Sequence, residues 1–320
     1  MSRRVTPAML ITALLLAALV GCSTDAPVRR APAAPAAPEP TVPATPQVPA
    51  GHAPQNPYPV GVRDLKLNRD GRALPVRIWY PAAGEDGPVR RGAAGAKGRF
   101  PVVMFSHGLG GRPDDYATLL TRWARAGFVV AAPTFPHTST GADNNVLDVL
   151  NQPADVSYAL DQVLALDAKA DDQLQGRLDG ERVAAAGHSA GGVTTIGLFT
   201  ANRDERLDAG VVFAGTALGV GTAFAGAAAP QLFVHGELDE VVEYAAGRAA
   251  YDKVPWPKAM LSLPKGDHGR TMLKDKAALR VVSDTSIEFL RWSLYGDPAA
   301  KRRIPTGATR GDIATFDNHL

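Results

Sequence analysis

Residues 182–195 read RVAAAGHSAGGVTT, a run of small apolar residues that breaks into Gly-His-Ser-Ala-Gly-Gly before an apolar segment resumes. The pattern predicts a strand over 182–188 that runs straight into a helix over 190–201. A Gly-x-Ser-x-Gly motif is a weak signal by itself. At a strand-to-helix junction, however, a sharp turn carries the serine out to the sheet's edge and to the helix N-terminus. Gly187 and Gly191 then have a physical reason: the turn strains the serine backbone, and a Cβ at either flank would collide with the neighbouring strand or helix. Such a turn can also hold a phosphate, but this one lacks the lysine of a phosphate-binding loop and the third-glycine spacing of a dinucleotide site. Ser189 is therefore a candidate nucleophile.

Outward from this turn, apolar strands alternate with amphipathic helices. VRDLKLN and ALPVRIWYP, split by Asp70-Gly71, read as a hairpin. PVVMFSHG (101–108), FVVAAPT (128–134), AGVVFAG (209–215), PQLFVHG (230–236) and KAMLSLPKG (258–266) read as further strands, with helical spacing in DDYATLLTRWARAGF, in ADVSYALDQVLALDA after Pro153, and in VVEYAAGRAAYDK. A last helix is expected through SIEFLRWSLYG, capped by Thr285 and Glu288. This alternation predicts an α/β fold with a mostly parallel central sheet, helices on both faces and little or no cap domain. One domain fits, over 58–297, followed by a polar tail over 298–320.

The N-terminus reads differently. Arg3 and Arg4 precede the apolar stretch MLITALLLAALV, and Leu19-Val20-Gly21-Cys22 follows, which resembles a bacterial lipobox. The stretch is short for a membrane span. The expectation is a signal peptide over 1–21, lipidation of Cys22, the chain's one cysteine, and an extracytoplasmic protein anchored to a bacterial membrane. Eight prolines between Pro27 and Pro49 make residues 22–57 an extended, unfolded tether. A formal net charge of +2, with no dense basic block outside the termini, excludes a nucleic-acid partner. No cofactor or metal is expected, and the chain is expected to be a monomer.

In open sheets of this kind chemistry gathers beyond the carboxyl ends of the strands. A serine nucleophile needs a base, and the base needs an acid that fixes its tautomer. In the chain order serine, acid, histidine, only His268 and His319 remain as bases. His268 follows a strand directly, whereas His319 ends the tail. For the acid, Asp239 stands past PQLFVHG and just before Val241-Val242, with Glu237 as the alternative and Asp267 as a neighbour facing solvent. The Leu109 and Ala190 amides are the expected oxyanion donors. Phe135 is expected to line the acyl site together with Leu109, His188 to form part of its wall, and residues 137–152 to set specificity. His107 reads as structural, and His235, like His188, as a wall or packing residue.

Together these residues resemble the α/β-hydrolase superfamily over 58–297. Within it, VRIWYPA, FPVVMFSHGLGG, GFVVAAPTFPH and GHSAGG look like the dienelactone-hydrolase-like esterases that include platelet-activating-factor acetylhydrolases and are related to bacterial cutinases and polyester hydrolases. The resemblance implies ester hydrolysis through an acyl-serine, with Ser189, Asp239 and His268 as the triad; HGELDEVV is similar to the acid-bearing segment of the cutinase group and favours Asp239 over Glu237. Dienelactone hydrolases use a cysteine nucleophile, which this chain lacks outside the signal. Their substrate is therefore not expected here. A serine peptidase or amidase of the same fold, and a non-catalytic envelope module, are the competing readings.

Overall fold

The computed structural model describes residues 51–320. The signal peptide, Cys22 and most of the tether lie outside the described residues. Strands β1 (Val60–Arg69) and β2 (Arg72–Pro81) form the hairpin, with Arg69 opposite Arg72 across Asp70 and Gly71. Both turn residues have positive φ, 52° and 85°, which is why an Asp-Gly pair closes this two-residue loop. A two-residue strand, β3 (Arg90–Arg91), pairs with β1. The alternation then runs β4 (Phe100–Ser106), α1 (Ala117–Arg125), β5 (Val129–Pro133), α2 (Gln152–Leu164), β6 (Leu178–His188), α3 (Ala190–Gly197), β7 (Leu207–Phe213), β8 (Gln231–Gly236), α4 (Tyr244–Asp252) and β9 (Lys258–Leu263). After it come α5 (Arg270–Lys274), α6 (Lys276–Tyr295), α7 (Pro298–Ala308) and β10 (Thr315–His319).

The strands form one sheet in the order β10-β9-β8-β7-β6-β4-β5-β2-β1-β3. Pairing is parallel from β5 through β4, β6, β7 and β8 to β9, and antiparallel where β2 meets β5 and where β10 meets β9. Side chains alternate between the faces of a strand, so an all-apolar strand must be covered twice. Val103 and Phe105 of β4 belong to the apolar core on the face covered by α1, α6 and α7, whereas Val102 and Met104 belong to the core on the face covered by α2, α3 and α4. This is the α/β-hydrolase architecture, a mostly parallel sheet with helices on both faces. β6 sits at its centre, and its run of alanines leaves room for the helices to approach.

Three boundaries differ from the sequence reading. The tether was expected to reach residue 57, but Ala53 is buried in the core, the Pro54 carbonyl accepts from Arg291, and the Tyr58 N–H donates to the Arg125 carbonyl. Helix α6 begins at Lys276, not inside the Thr285 pair: Asp275 caps it, its carboxylate accepting from the Ala277 and Ala278 amides. Thr285 lies mid-helix and fully buried. The supposed tail is part of the domain. Ala300, Ile304 and Ala308 of α7 are buried on the core, and β10 pairs with β9 from Thr315 opposite Ser262 to His319 opposite Lys258. Three basic residues and Pro305 had masked the helix, and an edge strand in which Phe316 alone packs against the core carries no apolar run to read.

No described helix is long and apolar enough to cross a membrane.

Candidate active site

Ser189 stands between β6 and α3 at φ 57° and ψ −119°, a region that costs a non-glycine residue on the order of 1–3 kcal/mol. The surroundings hold it there. A Cβ on Gly191 would lie 2.0 Å from the Ser106 carbonyl oxygen, and one on Gly187 would lie 2.1 Å from the Gly191 oxygen. No side chain fits at either place, so both glycines of the motif are steric requirements of the elbow.

The elbow aims the serine at His268. The Ser189 hydroxyl donates to His268 Nε2 at 2.8 Å, and His268 Nδ1–H donates to Asp239 Oδ2 at 2.8 Å. The order of donors follows from the carboxylate, which only accepts and so fixes the proton on Nδ1. Asp239 is buried, and its other oxygen accepts from the Val241 and Val242 amides at 2.9 and 2.8 Å. This turn aims the Asp239 carboxylate at His268. Glu237 is exposed, and Asp267 spends its carboxylate on the Gly269 and Thr271 amides. His319 lies on β10, where it pairs with Asp317.

The two expected oxyanion donors are fixed by the planarity of their peptides. The Gly108 carbonyl accepts from His107 Nδ1–H at 2.8 Å and from the Gly111 amide at 3.0 Å. The Gly108–Leu109 peptide is trans, so anchoring its carbonyl turns the Leu109 N–H the opposite way. The Ser189 carbonyl accepts from the Val193 amide at 3.1 Å and turns the Ala190 N–H away from the helix in the same manner. The loop after β4 lies against the serine, since a Cβ on Gly108 would sit 3.2 Å from Ser189 Cβ.

Four buried groups around the site have structural roles. His107 Nε2 accepts from the Phe135 amide at 3.1 Å, so His107 is neutral with its proton on Nδ1, and burial lowers its pKa. His235 Nε2–H donates to the Val242 carbonyl at 2.9 Å and lies 3.3 Å from Asp239 Oδ2; burial lowers its pKa too. His188 is buried behind His268, the two rings 4.9 Å apart, and burial pushes its pKa down to about 4. Tyr116 bonds both the Gly108 amide and His188 Nδ1, each at 3.0 Å.

Two expected acyl-site residues are thereby corrected. Phe135 is fully buried against His107, at a ring separation of 5.1 Å, because the chain after β5 turns its side chain inward to the core. His188 faces the protein and the His268 loop, since a residue beside a nucleophile elbow points inward when the serine points out. Tyr116 was missed altogether. It occupies one position of the amphipathic pattern leading into α1, and nothing in that pattern sets its hydroxyl apart from an apolar residue. Among the described residues no group of three or more His, Cys, Asp or Glu side chains is arranged to hold a metal ion.

Sizeable clefts lie away from this constellation. One of about 770 Å³ runs between the end of β9, α5 and Asp312, and another of about 630 Å³ lies between α1, α6 and α7. Ser189 lines neither, and neither brings a nucleophile and a base together. Hydrogen-bond geometry, not cleft size, identifies the site.

A family model described as Chlorophyllase, an α/β-hydrolase-like family of serine esterases, matches residues 87–237, just under half of the chain. No curated protein matches. The matched segment runs from before β4 to just past β8, so it contains Ser189 but stops short of Asp239 and His268. The chain thus has the α/β-hydrolase fold, with its candidate nucleophile inside a segment similar to the Chlorophyllase family and its candidate acid and base supplied by the chain beyond.

Proposed function

We propose that the protein is a serine carboxylic-ester hydrolase working through an acyl-enzyme on Ser189. The observation that carries this reading is the unbroken hydrogen-bonded chain from Ser189 through His268 to the buried Asp239, on a strained elbow. His268 Nε2 takes the hydroxyl proton as Ser189 Oγ attacks the ester carbonyl. The Leu109 and Ala190 amides receive the resulting oxyanion, a contribution on the order of 3 kcal/mol per donor. His268 then returns the proton to the departing alkoxide, and water repeats the sequence on the acyl-serine. Asp239 keeps the imidazole in the tautomer both halves need.

The rim around the serine favours apolar esters. Leu109, Val146, Leu147, Leu150, Leu218, Leu238 and Val241 are the exposed large apolar residues on the loops that follow β4, β5, β7 and β8; among the described residues only Val89 is another. Residues 214–230 carry no charged side chain. Such a surface suits acyl chains, lipids or polyesters better than charged peptides. A membrane address through a lipidated Cys22 fits the same substrates and rests on the lipobox-like sequence. Mass spectrometry of the mature N-terminus tests it.

The decisive experiment is labelling with a fluorophosphonate probe, followed by turnover of p-nitrophenyl esters. Ser189→Ala is expected to lose both while its near-ultraviolet circular dichroism is unchanged. Labelling or turnover that survives in this variant rules the assignment out.

A further inference from the structure

We propose that Tyr116 and His188 are positioning residues that tie the oxyanion loop to the catalytic base through one continuous buried bridge, from the Gly108 amide to the His268 carbonyl. The proposal rests on the esterase reading above and goes beyond it, because neither side chain touches the reacting atoms.

The bridge has four groups in series. The Gly108 N–H donates to Tyr116 Oη at 3.0 Å, Tyr116 O–H donates to His188 Nδ1 at 3.0 Å, and His188 Nε2–H donates to the His268 backbone carbonyl at 2.7 Å. Its direction is dictated by its ends. A peptide N–H can only donate and a carbonyl can only accept, so each proton between them has one place to be. His188 must be neutral, with its proton on Nε2. Tyr116 and His188 are both buried, with ring centroids 5.7 Å apart, which leaves water poorly placed to substitute for either.

What the two ends hold gives the bridge its role. One end fixes the Gly108 amide, whose residue also carries the carbonyl that aims the Leu109 N–H. The other end fixes the backbone of His268 itself. These loops follow different strands, β4 and β9, which are separated in the sheet by β6, β7 and β8. The oxyanion donor and the base must be in register at the same instant, yet the direct hydrogen bond between the segments that follow these strands, from Lys274 Nζ to the Asp115 carbonyl, holds neither Gly108 nor His268. His188 spans the gap because it occupies the variable position of the Gly-x-Ser-x-Gly elbow, held between them. A Cβ on Gly269 would lie 3.0 Å from His188 Nε2, so the loop that carries His268 closes directly onto this ring.

Kinetics on a soluble p-nitrophenyl acetate substrate tests the role. Tyr116→Phe and His188→Phe are each expected to lower kcat by about ten- to a hundredfold, with KM within about twofold, because misplacement of about 1 Å is worth that much. The affinity of an arylboronic acid, whose tetrahedral serine adduct occupies the oxyanion site, should fall in parallel with kcat. The double variant should lose no more than the worse single one, since either break severs the same bridge. His188→Gln, whose amide both accepts and donates, should recover part of the loss. Multiplying losses in the double variant, or a raised KM with unchanged kcat, would overturn the proposal. Nitrogen-15 chemical shifts of His188 give a readout that needs no turnover: the expected result is an Nε2–H tautomer with a slowly exchanging proton, which exchanges faster in Tyr116→Phe. An Nδ1–H tautomer sinks the bridge. Wild-type protein that turns over no ester sinks the functional reading instead, and the tautomer still judges the bridge. If His188→Phe does not fold, Tyr116→Phe, which removes a single oxygen, carries the test.

Discussion

Asp239 Oδ2 accepts from His268 Nδ1 at 2.8 Å while His235 Nε2 lies 3.3 Å away on the same oxygen, so one buried carboxylate faces two imidazoles. Removing its charge removes the orientation of the base. Asp239→Asn is expected to lower kcat by about 10³- to 10⁴-fold with little change in thermal midpoint, as a wrong tautomer does in serine hydrolases. Glu237→Gln, on the exposed neighbour, should leave turnover within about twofold. Steady-state kinetics on the two variants checks both, and a reversed ranking would move the acid to Glu237.

Acid should destabilise the fold through its buried histidines. Burial lowers the His188 pKa from 6.5 to about 4, and lowers those of His107 and His235 in the same direction. Between the unfolded value and the lowered one, the unfolded chain binds more protons, so stability rises with pH. It is fully present above about pH 6.5 and is lost as pH falls toward 4. His188 alone contributes on the order of 3 kcal/mol across that window. Urea midpoints measured from pH 7 to pH 4 should fall steadily, and His188→Gln should flatten the slope.

The glycines of the elbow and of the oxyanion loop should respond differently to an added methyl. Gly191→Ala sets its new methyl 2.0 Å from the Ser106 carbonyl oxygen, a backbone atom that cannot step aside, and is expected to cost at least about 3 kcal/mol or prevent folding. Gly108→Ala meets Ser189 Cβ at 3.2 Å, tight but adjustable. Its expected effect is on turnover, about tenfold, with a small change in denaturation midpoint. Gly87→Ala, where nothing lies within 4 Å, should be neutral or slightly stabilising.

Arg72 holds the hairpin to the segment flanking the active site. It forms paired hydrogen bonds to Asp148 at 2.8 Å and reaches Asp155 at 2.6 Å, while Arg69 also contacts Asp155, which is fully buried. Arg72→Met leaves two buried carboxylates short of a partner and is expected to cost about 3–5 kcal/mol. Amide hydrogen exchange should also accelerate in residues 146–155, since this contact anchors them.

The apolar rim should matter only when the substrate is not dissolved. Leu147→Asp with Leu218→Asp is expected to leave hydrolysis of a soluble acetate ester within about twofold and to lower hydrolysis of an emulsified long-chain ester by about tenfold or more. Equal loss on both substrates would mean that these residues support the fold rather than the substrate.

Much of this was legible because the relevant signals are local. The Asp70-Gly71 turn, the apolar strands and the order of Ser189, Asp239 and His268 each follow from residue type and position along the chain. What escaped was direction. Phe135 follows a strand just as Leu109 does, but only the backbone after β5 decides that its ring goes inward. Thr285 and Glu288 have the spacing of a capping pair, yet that spacing also occurs inside a helix, and Asp275, ten residues before Thr285, held the real cap. Tyr116 and His188 lie far apart in sequence, so their partnership exists only after folding.

The last strand has a consequence for handling the protein. β9 is buried along most of its length, and β10 is what occupies its outer hydrogen-bonding edge, presenting Asp317, Asn318 and His319 outward in its place. Deletion after Asp312 would leave an open apolar template for strand pairing between molecules. The final residues therefore act as a guard against aggregation, and a purification tag fused directly to Leu320 would hang from that guard.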